Sequence, residues 1–255
     1  MEAPLPPDRV RENPSPRPKE TALAFWRFLK APKQLEALHQ KPEEVWRPLL
    51  QLFVLKFILS LGIAVIIFGL IKLMGYNPFA SHRLGRFLEE NNPLLVLLAV
   101  AVIVPAIEEF FFRAPLRYTR MRLFVAFLTI IFFILPTLLE MLQISTLLSA
   151  LIWLVALMLA IWVVLSDMRA WYLRRLWEKR FPTVFYTFTI VFGLVHLANY
   201  ENLHLPIALV PLLVVPQFIG ALFWGYIRLR FSLTWAIVSH GLFNAALLAL
   251  AYLTM

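Results

Sequence analysis

Glu108 and Glu109 stand side by side at the end of a run, Leu94 to Ile107, that holds no charged residue, and Arg113 follows four residues after the second acid. Ionisable groups in such a setting generally face a protein interior or a water-filled cavity and are candidates for function. On a helix, Glu109 and Arg113 lie one turn apart and face each other. Glu108 points about 100° away. One acid therefore has a built-in partner, and the other is available for chemistry. The plainer alternative is a charged rim where a helix leaves a membrane. Two further sets of polar residues lie in apolar sequence. Phe192-Gly193-Leu194-Val195-His196 closes one stretch, and His240-Gly241-Leu242-Phe243-Asn244 lies inside another. A lone histidine there ordinarily makes a hydrogen bond between helices. His240 and Asn244, however, are four apart and share one face.

The elements that must position these groups are transmembrane helices. Of 255 residues, 61% are hydrophobic and only 15% charged, with a mean hydropathy of +0.76. Several segments are long enough to cross a bilayer, so the expected fold is all-α, a polytopic membrane helix bundle. The net charge of +9 does not indicate nucleic acid, because the basic residues fall between apolar runs, where topology accounts for them. The absence of cysteine excludes disulfides and thiolate chemistry.

Residues 1–48 form the first unit, expected to be cytoplasmic. Met1 to Glu20 is polar, carries six of the eighteen prolines, lacks a signal-peptide core and reads as a tail. Ala24, Phe25, Phe28 and Leu29 then repeat at helical spacing, giving an amphipathic segment that lies on the membrane surface or packs on the protein. Residues 49–255 form the transmembrane unit. Its spans are expected at 49–73, where Lys56 interrupts and could snorkel to an interface, then from 93 through the acidic motif, and at 123–139, 144–165, 181–198, 205–226 and 233–253. Arginine and lysine cluster before Pro48 and after the second, fourth and sixth spans, and are missing after the third and fifth. The positive-inside rule then gives a cytoplasmic N-terminus and an outer C-terminus, in the cytoplasmic membrane. Arg83 and Arg86 dissent, offset by Glu89 and Glu90.

Depth can be compared along the helices. If the helix of Glu108 continues to Arg120, Glu108 lies ~18 Å from the basic surface, His196 ~22 Å, and His240 and Asn244 ~12 and ~18 Å. All four could share one intramembrane cavity. Pro115 argues against an uninterrupted helix.

The ordered set EExxxR, FxxxH and HxxxN resembles the CPBP family, the CAAX-protease and bacteriocin-processing intramembrane endopeptidases related to the Ras-converting CAAX endopeptidase. The resemblance runs from Pro93 to the C-terminus. It departs from the family in the long separation of the first two motifs, which makes 121–168 an inserted helical hairpin. The resemblance implies glutamate-dependent hydrolysis of a peptide bond in a membrane-embedded or lipidated substrate. Glu108 would be the general base on water and His196 would help hold it. His240 and Asn244 would donate to the oxyanion, Arg113 would lock Glu109, and Phe192 would pack. No cofactor is expected. The alternative is zinc held by glutamate and histidine, ordinary zinc ligands, although no HExxH occurs. A second alternative is a non-catalytic membrane subunit or immunity-type protein that binds a partner through the inserted hairpin or the N-terminal segment. A proton-coupled transporter is disfavoured by the absence of an evident internal repeat.

Overall fold

The computed structural model describes residues 16–35, 42–77, 82–200 and 205–254. The tail before Pro16 lies outside them. Seven helical segments are long and apolar enough to cross a membrane: Val45–Leu73, Pro93–Leu116, Arg120–Met141, Thr146–Leu165, Phe181–Asn199, Val210–Arg230 and Leu233–Leu253. The sixth runs from Val210 to Arg230 rather than from 205 to 226, so its last turn includes Arg228 and Arg230. Among the described residues no strand forms. One isolated antiparallel bridge joins His82 to Tyr200.

α1 (Pro18–Lys30) opens on a proline, and Glu20 reaches back to the Arg17 N–H at 2.9 Å. Its apolar face buries Phe25 and Phe28 against the rings of Phe223, Tyr226 and Phe185, while Trp26 on the other side stays exposed. Of the two sequence readings of this segment, its phenylalanine face follows the packed one. Gln34 donates to the Leu116 carbonyl at 2.7 Å and Tyr186 to that of Leu29, which fastens residues 29–35 to the core.

α2 (Pro42–Leu73) places Lys56 inward, 1% exposed. The snorkelling expected of Lys56 is therefore corrected: the side chain points between helices, not along the lipid. α3 (Arg83–Glu90) is a short helix before the second span.

The second span is not one regular helix. α4 (Pro93–Leu98) is capped by Asn92, whose side chain accepts from the Leu94 N–H. A π turn, Ala99–Ile103, follows, and α5 (Val104–Phe112) carries the acidic motif. Pro105 explains the π turn, since a proline within a helix withholds an N–H and crowds the carbonyl four residues back. Pro115 acts likewise at the other end. The helix does not continue to Arg120, as the depth estimate supposed. It stops at Phe112, tightens into a 3-10 turn over Ala114–Leu116 and becomes extended at Arg117. The Phe111 carbonyl, four residues before Pro115, lies 2.8 Å from the Thr129 hydroxyl.

Thr129 ends α6 (Arg120–Thr129), which Thr119 caps. A second π turn, Ile130–Ile134, again precedes a proline, and α7 (Leu135–Met141) completes the span. The chain reverses through Gln143, at φ 53°, into α8 (Thr146–Leu165). The segment read as an insertion is thus a hairpin that meets the rest of the bundle through α6, with α8 on its outer side against α6. Ser166 caps α9 (Asp167–Lys179), and α10 (Phe181–Val195) leads into a 3-10 turn at His196–Asn199. α11 (Val215–Arg230) and α12 (Leu233–Thr254) complete the bundle. The densest core lies where α11 meets α2, α10 and α12, and it is built largely of phenylalanine.

Candidate active site

Three elements bring the polar residues of the spans together. α5 supplies Glu108 and Glu109, with Arg113 as the residue that caps its end, the end of α10 supplies His196, and α12 supplies His240 and Asn244. Glu108 lies between the imidazoles. Its Oε1 is 3.6 Å from His196 Nε2, and its Oε2 is 3.6 Å from His240 Nε2. Both distances exceed direct hydrogen bonds. Glu109 faces the other way, with Oε1 3.0 Å from His240 Nδ1 and Oε2 3.5 Å from Arg113 Nε. The i,i+4 pairing of Glu109 with Arg113 is present, and Glu109 holds His240 as well.

The hydrogen bonds assign the tautomers by geometry. His196 Nδ1 lies 2.7 Å from the Phe192 carbonyl, which can only accept, so Nδ1 carries the proton. His240 Nδ1 likewise donates to Glu109. In the neutral rings each Nε2 then presents a lone pair towards Glu108. With Glu108 ionised and both rings neutral, three acceptors converge, and a group that joins them brings its own protons.

Exposure separates the groups further. The Glu108 and His196 side chains are 21% and 15% exposed, whereas His240 is 3% and Glu109 fully buried. The first pair is partly exposed, and the second pair supports it from inside.

The rings around this cluster hold its orientation. Trp224 of α11 stacks on His240 at 3.6 Å and 19°. Phe192 packs as expected, and its ring carries the Arg113 guanidinium at 3.9 Å. That cation–π contact suits a side chain whose two terminal nitrogens have no hydrogen-bond partner among the described residues. The Arg113 carbonyl accepts from Arg228 Nε at 3.2 Å.

Asn244 is one turn beyond His240, but its Nδ2 donates to the Val100 carbonyl of the π turn at 3.0 Å. One of its two amide hydrogens is therefore committed to the backbone. Gly241, between the two, faces the same turn. A Cβ there would lie 2.2 Å from the Ala101 carbonyl oxygen, so only glycine permits this approach. Towards the end of the bundle where His196 lies, His82 stands edge-on to Tyr200. Burial lowers the His82 imidazole and pushes the Tyr200 phenol up to about 12, which leaves both neutral at pH 7.

Sequence reasoning missed Trp224, Gly241 as a contact residue and the inward course of Lys56. Lys56 carried a signal, as the one charged residue deep within the first apolar run. Trp224 carried none, because a tryptophan in an apolar span is unremarkable. Each Nδ1 is held as the outer partner of a metal-binding histidine would be, yet among the described residues no group of three or more His, Cys, Asp or Glu side chains could hold a metal ion. No protein-family model, curated protein or solved structure matches the chain.

Proposed function

We propose that this membrane protein is an intramembrane endopeptidase that hydrolyses a peptide bond of a membrane-associated substrate with water activated by Glu108. The observation that carries the reading is the partly exposed Glu108 carboxylate 3.6 Å from the Nε2 of each imidazole, beside a sealed carboxylate in contact with one of those imidazoles. Water entering from the open side gives a proton to Glu108 and directs its second O–H to His196 Nε2. Its oxygen attacks the carbonyl carbon. The C–N bond then breaks as the proton held on Glu108 passes to the departing amine. The uncommitted N–H of Asn244 is a donor for the oxyanion. His240, with Nδ1 held by Glu109, presents a lone pair from Nε2 in the neutral ring and so helps to orient the water rather than donating to the oxyanion. The motif resemblance adds lipidated C-terminal peptides and leader peptides as substrate classes. The arginine-rich connections favour a cytoplasmic N-terminus and an outer C-terminus in the cytoplasmic membrane.

The test is cleavage of membrane-tethered peptides of both classes by the purified protein in lipid, with Glu108→Gln as the paired control. Glu108→Gln keeps shape and removes the base, so turnover should vanish while yield and melting temperature stay near those of the parent. A chelator should leave activity intact. Loss that zinc restores would favour a metal-activated water instead. The competing reading, a non-catalytic partner-binding subunit, draws on the outer hairpin face, where Leu147, Leu151, Leu154 and Met158 are exposed. Absence of cleavage of every peptide, with Glu108→Gln indistinguishable from the parent, would favour that reading.

A further inference from the structure

Three arginines gather where α5 ends, α6 begins and α11 ends, and each donates to a backbone carbonyl. Arg228 Nε lies 3.2 Å from the Arg113 carbonyl. Arg117 Nη2 donates to the carbonyl of Leu229, the residue after Arg228, and lies 3.4 Å from that of Leu35. Arg122 Nη1 lies 3.3 Å from the carbonyl of Arg117 itself. The three guanidiniums are thereby drawn around one short stretch, the 3-10 turn Ala114–Leu116 and the residues that flank it.

Carbonyls satisfy N–H groups but do not neutralise a cation. Among the described residues none of the three forms an ion pair, although neighbours at the same end do: Arg120 pairs with Asp167, and Arg174 with Glu178. The acid that acts on Arg228 is Glu109, which Arg113 and His240 already engage. Arg228 is 5% exposed. Its Nη2 and the Nε of Arg117 are buried with no hydrogen-bond partner among the described residues. Basic residues placed by topology alone reach water. Arg228 does not, and a buried cation without an anion is costly. Arg117 and Arg122 are only half-buried, so the group is open on their side. Each arginine spends one nitrogen on carbonyls, which leaves two for an anion. The planar guanidinium fork matches phosphate oxygens. Basic pockets between spanning helices, near the membrane surface, suit anionic headgroups.

We propose that Arg117, Arg122 and Arg228 form a binding site for a phosphate group, carried by a lipid headgroup or free in solution. The site does not depend on the endopeptidase reading. The full-length protein in neutral detergent is mixed with dioctanoyl phosphatidic acid, with dioctanoylglycerol, which lacks the phosphate, or with inorganic phosphate. Native mass spectrometry and thermal melts read the binding. A single phosphatidic acid should be retained per chain, and dioctanoylglycerol should not. Arg122→Gln and Arg228→Gln should each weaken retention by about tenfold or more. Lys179→Gln removes the same charge from an exposed residue at the end of α9 and should leave retention within about twofold. Equal retention of the two lipids, or equal effects of Arg122→Gln and Lys179→Gln, overturns the proposal. So does an absence of binding by both phosphatidic acid and inorganic phosphate. If Arg228→Gln fails to fold, the half-buried Arg122 still decides the comparison. Inorganic phosphate that displaces the lipid and raises the melting temperature by itself supports the site with a soluble ligand. Retention that inorganic phosphate leaves unchanged supports it with a lipid headgroup.

Discussion

Glu109 meets both Arg113 and His240, and this double engagement changes what its replacement should do. From helical spacing alone, Glu109→Gln breaks a buried ion pair and costs stability, on the order of 3–5 kcal/mol. The 3.0 Å contact with His240 Nδ1 adds a catalytic cost. A glutamine amide can turn its NH2 towards Nδ1, and the imidazole then answers with its other tautomer, placing a proton on Nε2 against Glu108. Glu109→Gln should therefore melt lower and turn over slower. Arg113→Ala, which leaves the His240 contact in place, should chiefly melt lower. Melting temperature and kcat measured together separate the two variants. Equal kcat losses in both would mean that the His240 tautomer has no bearing on turnover.

At the scale of elements, prolines shape the second span and other helices answer the carbonyls they release. Pro105 opens the π turn, and α12 meets it through Asn244 and Gly241. Pro115 ends the helix, and Thr129 of α6 lies at the Phe111 carbonyl. Both contacts flank the acidic motif and fix how α5 presents it. Gly241→Ala sets a methyl 2.2 Å from a backbone oxygen, which no rotamer relieves. It should force α12 off the π turn, with a loss of about 1–3 kcal/mol or more and a matching fall in activity as His240 shifts. Thr129→Val keeps the shape but removes the one hydroxyl proton shared between the Phe111 and Val125 carbonyls, at about 1 kcal/mol. Thermal melts of both variants check the order. A Gly241→Ala protein as stable as the parent would show that α12 is not seated on the π turn.

For the whole molecule, the testable property is how the seven spans thread the membrane. Basic residues crowd the connections after the second, fourth and sixth spans, and all three should lie in the cytoplasm. Reporters fused after Arg122 and Arg180 should score inside, and those after Met141 and Tyr200 outside. An identical side for Arg122 and Met141 would mean that α6 and α7 do not cross together, and the hairpin reading would fall. That hairpin leaves the orientation of the motif helices unchanged because it adds two crossings. α8 lies at the periphery of the bundle, against α6 and α9.

The sequence by itself determined the all-α membrane class, the approximate spans and the short list of polar residues within them. Apolar runs of spanning length and the cost of burying charge act locally and are written residue by residue. The i,i+4 contact of Glu109 with Arg113 was legible for the same reason, since both lie on one helix. The tertiary structure decided the rest. It brought Glu108 between His196 and His240, gave Glu109 its second partner and engaged Asn244 with the Val100 carbonyl. It also turned Lys56 inward against Trp224. Each of these depends on which faces of α2, α5, α10, α11 and α12 meet. That choice follows from ring packing and from carbonyls freed by proline, and no single helix carries it in its own spacing.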